Sequence, residues 1–204
     1  MEIDRDTYKL SNNNYHKVEY TKKQIVVGHT GRKKMSHFSS WKNRHNGQYK
    51  KTAAYTIDKN GKVYEHYDPK YYSDFIPLYD MAPFTIPITL TNVGWVQRDD
   101  INDRYYDWLG HNYILEGDDI VSQKWRNKEH WVKYTEEQLN SLRNLTDKLC
   151  NDFEIKNDCI GHTVFNEDVD IYEGITFKSN YYQEATDISP AFDMNVFKKQ
   201  ENGQ

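Results

Sequence analysis

Cysteine is nearly absent: Cys150 and Cys159 are the only two in 204 residues. No disulfide framework and no cysteine-based zinc finger can be built from them. Long apolar runs are missing too, and nothing approaches the roughly 20 residues that a membrane-spanning helix needs. The first residues, MEIDRDTYKLSNNN, lack the basic, apolar and small-residue pattern of a secretory signal. These gaps lead us to expect a chain made in the cytoplasm, with free thiols and no membrane insertion. An excess of positive charge is also lacking. A net charge of −4 and a pI near 6.1 offer no electrostatic case for nucleic acid.

What is present argues for a folded domain. Mean hydropathy is low at −0.99, with 28% charged residues, yet 15% of the chain is aromatic, including 17 Tyr and 5 Trp. Disordered chains are poor in aromatics. No internal repeat or low-complexity linker divides the sequence. We expect an N-terminal extension over 1–22 and one domain over 23–200, with an irregular insertion over about 97–133. SNNN near the start and KKQENGQ at the end read as solvated ends.

Strand candidates are Gln24–Val27, Ala53–Ile57, Lys62–His66, Ile86–Leu90 and Cys159–Gly161. Asn60-Gly61 between two β-prone runs is a strong hairpin signal. YTEEQLNSLRNLTDKLCNDF is the clearest helix. Thr135 and Gln138 form a capping box, acidic Glu136 and Glu137 follow, and Leu139, Leu142, Leu145 and Leu149 share a face. MSHFSSWKNRHN predicts a second helix through Met35, Phe38 and Trp41. Interleaved helices and strands predict an α/β single domain with a central mixed sheet flanked by helices.

Three segments set a metal-competent side chain at the end of an apolar run: His29 in IVVGH, His162 in DCIGH, and Asp187 in TDISPAFD. Two imidazoles and a carboxylate suit zinc and leave a fourth position for water. The spacing is long-range rather than a compact motif, and a lone histidine is more often a surface or hydrogen-bonded residue.

The order of segments carries more. IVVGHTGR, AYTIDKNGKVYEHYDP, TIPITLTNVG, YTEEQLNSLRNLTDKLC, CIGH and TDISPAFD follow one another over roughly residues 23–197. In this order they resemble the zinc-dependent N-acetylmuramoyl-L-alanine amidases of the type-2 family, which share a fold with peptidoglycan-recognition proteins and phage amidases. The resemblance implies one Zn²⁺ held by His29, His162 and Asp187, with peptidoglycan as partner. It also implies hydrolysis of the amide between N-acetylmuramic acid and L-alanine by a metal-bound water. Thr30, Thr89, Asn92 and Trp95 would then lie along the substrate groove.

The chain departs from the family at the positions that move protons. The usual Glu falls on Thr89 (or, in a neighbouring register, on Thr91), the usual Tyr on Ala53, and the usual Lys on Ala185. Tyr55 and Lys178 are candidate replacements. Strand alternation sets Tyr55 on the face of Ala53, and Lys178 could serve as a cation for the developing oxyanion. Glu65 and His66 lie on nearby segments. The plain alternatives are a core tyrosine and a solvated loop charge. The span from His162 to Asp187 is also long for the family, and one register sets Lys178 about where a second His sits. His162 is preferred because it follows the long helix and a short strand. The empty helper positions keep a second function open: a degenerate amidase fold that binds peptidoglycan or serves as a virion structural module.

Other features carry less. Basic runs at Arg32–Lys34 and Lys42–Lys51 suit anionic wall polymers or stem-peptide carboxylates, or simply a solvated helix face. Trp95, Trp108, Trp125 and Trp131 form either a stacking surface or a satellite core. QRDDINDRYYDW lacks the spacing of a calcium loop. The Asn-, Lys-, Tyr- and Ile-rich wording suits a phage lysis or tail-associated protein.

Overall fold

The computed structural model describes residues 1–115 and 120–198. Residues 199–204, which include most of the KKQENGQ tail, lie outside that range, as does the proposed domain limit at 200.

Six strands form the main sheet: β1 (Ile3–Asp4), β2 (Gln24–His29), β3 (Tyr55–Ile57), β4 (Val63–Glu65), β5 (Thr85–Leu90) and β11 (Gly174–Phe177). Their order is β1-β4-β3-β5-β2-β11, with β3 and β4 antiparallel and every other neighbour parallel. The sheet is mixed, as expected. Ile25, Val26 and Val27 of β2 are fully buried, which is the continuous apolar run of a parallel strand covered on both faces. The β3–β4 turn is built on Asn60-Gly61, with Gly61 at φ +78.

Helix α2 (Glu136–Phe153) starts at the capping box read from the sequence. Thr135 Oγ1 accepts from the Gln138 backbone N–H at 3.2 Å, and Gln138 Oε1 accepts from the Thr135 N–H at 3.3 Å. Leu142, Leu145 and Leu149 press fully buried onto the sheet, each contributing roughly 1.5–3 kcal/mol of burial. Helix α1 (His37–Gly47) ends in non-helical backbone at Arg44, His45 and Asn46.

Three sequence expectations change. The stretch 97–133 is not irregular: β6 (Trp95–Asp99), β7 (Arg104–Asp107), β8 (Asn112–Tyr113), β9 (Ile120–Trp125) and β10 (Lys128–Val132) form an antiparallel sheet ordered β8-β7-β6-β10-β9. Its strands are short and its outer face is charged, so no clear period survives in the sequence. Cys159–Gly161 contributes only an isolated bridge from Cys159 to Ile175; the strand beside β2 is β11. Finally, SNNN is not a solvated end. Asn14 is fully buried, and its amide donates to the Trp41, Gly47 and Tyr49 carbonyls, which closes the end of α1. Residues 1–22 also supply β1 and core residues Leu10 and Tyr15. Among the described residues, no helix is long and apolar enough to cross a membrane.

Candidate functional site

The pleat decides which residues meet at the end of β2. Ile25 and Val27 belong to the core cluster under α2, and Val26 to the cluster on the other face. With a period of two, Gly28 faces the Val26 side and His29 the α2 side. In register, Thr89 of β5 pairs with Gly28, and Phe177 of β11 pairs with Val27. Lys178 therefore follows Phe177 onto the Gly28 side.

A groove of about 220 Å³ opens beside these residues. Its walls carry the cations Arg32, Arg44, Lys51 and Lys178 and the aromatics Trp41, Tyr49, Phe75 and Trp108, while His29, Thr30, His37 and Thr89 also line it. Arg32 lies 4.7 Å from the Trp108 ring centroid and Arg44 4.9 Å from that of Tyr49. Trp108 comes from the second sheet and is tied down by its indole N–H, which donates to the Gly31 carbonyl at 2.8 Å. Among the described residues, only Lys178 of the four cations is paired with a carboxylate, its Nζ standing 3.6 Å from Asp187 Oδ2.

Thr89 heads a neutral chain that runs inward. Its hydroxyl is 2.8 Å from Thr56 Oγ1, which is 2.7 Å from His66 Nε2. His66 Nδ1 donates to the Tyr8 carbonyl at 2.7 Å, so Nε2 is left to accept from Thr56. Burial holds the His66 pKa down at about 4 and that of His37 at about 3. Both rings are neutral near pH 7.

The other residues singled out in the sequence separate. Tyr55 is buried in the core cluster under α2, with its hydroxyl donating to Glu65 Oε2 at 3.1 Å. It does not share the face of Ala53, which packs in the opposite cluster: regular strand geometry begins only at Tyr55, so alternation counted from Ala53 fails. Burial, reinforced by Glu65, raises its pKa far above the ordinary phenol range. Thr30 and Thr89 line the groove, but Asn92 and Trp95 do not. Asn92 is fully buried and ties Gly94 to the Val132 and Lys133 carbonyls. Trp95 lies under the Lys128 ammonium, 3.6 Å from its ring centroid, on the second sheet. Of the remaining tryptophans, Trp131 is fully buried and Trp125 packs against it. Phe75, His37 and Gly28 went unnoticed in the sequence, and only Gly28, preceding His29, carried any local signal there.

Zinc ligation by His29, His162 and Asp187 does not fit this arrangement. Among the described residues, no three His, Cys, Asp or Glu side chains gather into a group that could hold a metal. His29 Nδ1 is 3.0 Å from the Tyr134 hydroxyl, and its Nε2 lies 2.6 Å from where a Cβ on Gly94 would stand. Nδ1 is taken up by that hydroxyl, while Nε2 stands at the groove wall against Gly94. Burial lowers the His29 pKa despite the opposing pull of Asp187. His162 sits in a turn, its ring 5.8 Å from Phe177 and 5.6 Å from Phe192, on the core side of the sheet. Its Nε2 is buried with no hydrogen-bond partner among the described residues, and burial pushes its pKa down to about 4. Asp187 reaches the Gly28 side, where it meets Lys178. The loop 179–185 leading to it is held by Arg126 at the tip of the β9–β10 hairpin. That guanidinium donates to the Ser179 carbonyl at 2.9 Å, the Tyr182 carbonyl at 3.2 Å, and the Ala185 carbonyl.

Residues 18–174 match the model of a family described as N-acetylmuramoyl-L-alanine amidase, a span that includes His29 and His162 but stops short of Lys178 and Asp187. No curated protein sequence matches the chain. Among solved structures, the Ph2119 endolysin of Thermus scotoductus MAT2119 bacteriophage Ph2119 is similar at TM-score 0.55 and 10% identity, over 96% of each chain. The endolysin amidase LysCS from Clostridium intestinale URNW gives 0.54 at 13% identity, over 96% of this chain and 92% of that one. Drosophila peptidoglycan recognition protein SD gives 0.50 at 14% identity, over 94% and 90%. At such identities the likeness is one of fold.

Proposed function

This chain belongs to the N-acetylmuramoyl-L-alanine amidase family, and we propose that its groove binds peptidoglycan at the junction of muramic acid and stem peptide and holds it uncleaved. Family membership supports peptidoglycan as the ligand. The observation that carries the binding reading is the lining of the groove. Cations Arg32, Arg44 and Lys51 stand beside Trp41, Tyr49 and Trp108, a combination that takes carboxylates and the apolar faces of sugar rings together. At the floor, the hydroxyl of Thr89 leads only to neutral, buried groups. Ala53 and Ala185, at the other positions where the resemblance implies proton carriers, are buried alanines. General acid–base catalysis needs a titratable group within hydrogen-bond reach of the reacting atoms, and these three positions supply none.

Hydrolysis of the same amide is the second reading. The family match and the approach of Asp187 and His29 to one end of the groove favour it. The family is generally zinc-dependent, but among the described residues no three donors of this chain gather into a metal-holding group, so no step is drawn through a metal. The likeness to a phage endolysin supports a setting in phage lysis or in a virion, where either reading has a use.

Two measurements on one sample test the proposal: co-sedimentation with purified peptidoglycan, and mass spectrometry of what becomes soluble. Binding without released peptides, weakened at least tenfold in an Arg44→Ala/Lys51→Ala variant, is the expected result. Release of intact stem peptides beginning at L-alanine would establish hydrolysis instead, and failure to sediment would dispose of both readings.

A further inference from the structure

We propose that the Lys178 ammonium is the resident cation of this site, countering Asp187 in the space left by Gly28 and standing where the family's chemistry would require a metal. Three observations support this. First, a Cβ on Gly28 would lie 2.9 Å from Asp187 Oδ2, 3.0 Å from Phe75 Cζ and 3.6 Å from Lys178 Cδ. The missing side chain is what admits the carboxylate and the edge of the Phe75 ring to this point, while the lysine stem would be in ordinary contact. Second, the Lys178 ammonium sits between Asp187 Oδ2 at 3.6 Å and the Phe75 ring at 4.9 Å. One partner carries full negative charge, the other presents the negative face of a π-system. Third, the pair is largely shielded, with the Lys178 side chain 24% exposed and that of Asp187 11%. Ion pairs at such depth are screened far less than surface pairs.

The consequence is exclusion of divalent metal. An ammonium has three donors and no lone pair, so it cannot ligate. It also sets a positive charge a few ångströms from any ion that Asp187 would hold. The fold is then complete without metal, its carboxylate already neutralised from within the chain.

The test uses the whole protein without peptidoglycan, so its outcome is separate from that of the binding experiment. After incubation with zinc and removal of free ion, elemental analysis is expected to find far less than one zinc per chain. The melting temperature is expected to be unchanged by zinc or by a chelator. Lys178→Met is expected to melt several degrees lower, and Asp187→Asn in the same chain to recover most of that loss, because the uncompensated charge is then gone. One zinc per wild-type chain, or a wild-type melting temperature that falls with chelator, would overturn the proposal whether or not the variants fold. Equal losses that simply add in the double variant would overturn the pairing.

Discussion

Replacing Gly94 with alanine should strain the protein in two separable ways. Gly94 has φ +82, and a Cβ there would stand 2.6 Å from His29 Nε2 and 2.7 Å from Cε1. The left-handed backbone alone costs an alanine about 1–2 kcal/mol. Forcing a methyl group into the imidazole adds about 1–3 kcal/mol of overpacking, for a total of about 2–5 kcal/mol. For a chain of this size that is a melting temperature lower by roughly 4–20 °C. Gly110 is the internal control, since its φ is +80 but nothing among the described residues lies within 4 Å of its added Cβ. Gly110→Ala should therefore show the backbone cost alone. Denaturation followed by circular dichroism would measure both variants. The difference between them reports the contact with His29 and should vanish when each is made in a His29→Ala background. If Gly94→Ala and Gly110→Ala cost the same in the wild-type background, the close approach of Gly94 and His29 is wrong.

Two further outcomes follow from the same geometry. Arg126→Ala removes a guanidinium that serves the carbonyls of Ser179, Tyr182 and Ala185; a loss of about 3–5 kcal/mol is expected, with amide exchange accelerating across 179–187, and protection left unchanged there would refute the anchoring role. Acidification should destabilise the fold through its buried histidines. His66, His37 and His162 have folded pKa values of about 4, 3 and 4 against an ordinary 6.5, so the unfolded chain binds more protons as pH falls below 6.5. Stability should be full well above that value and decline as pH falls through it, down to about pH 3. A flat urea midpoint across that window would contradict the neutral burial of these rings.

The amino-acid sequence by itself determined the parts of the fold that rest on local physics. The Asn60-Gly61 turn, the Thr135–Gln138 cap, the leucine face of α2 and the apolar run of β2 are each written in a few consecutive residues, and each is present in the structure. The second sheet was illegible because its strands are short and charged on the outer face. The role of Asn14 was hidden because its three carbonyl partners lie far along the chain.

Tertiary structure alone decided the site. Both GH dipeptides read alike, and a short apolar strand before His162 was as plausible as GITF before Lys178. Parallel neighbours are joined through long crossovers, so nothing local says which segment lies beside β2. Once β11 takes that place, the alternating pleat sends Phe177 into the core and Lys178 toward Asp187. The same alternation turns Gly28 to face them, while the His29 ring reaches the groove from beside Gly94. The sequence thus supplied the residues and the family resemblance, but strand pairing and a two-residue period chose an ammonium over an imidazole at the point where the carboxylate arrives.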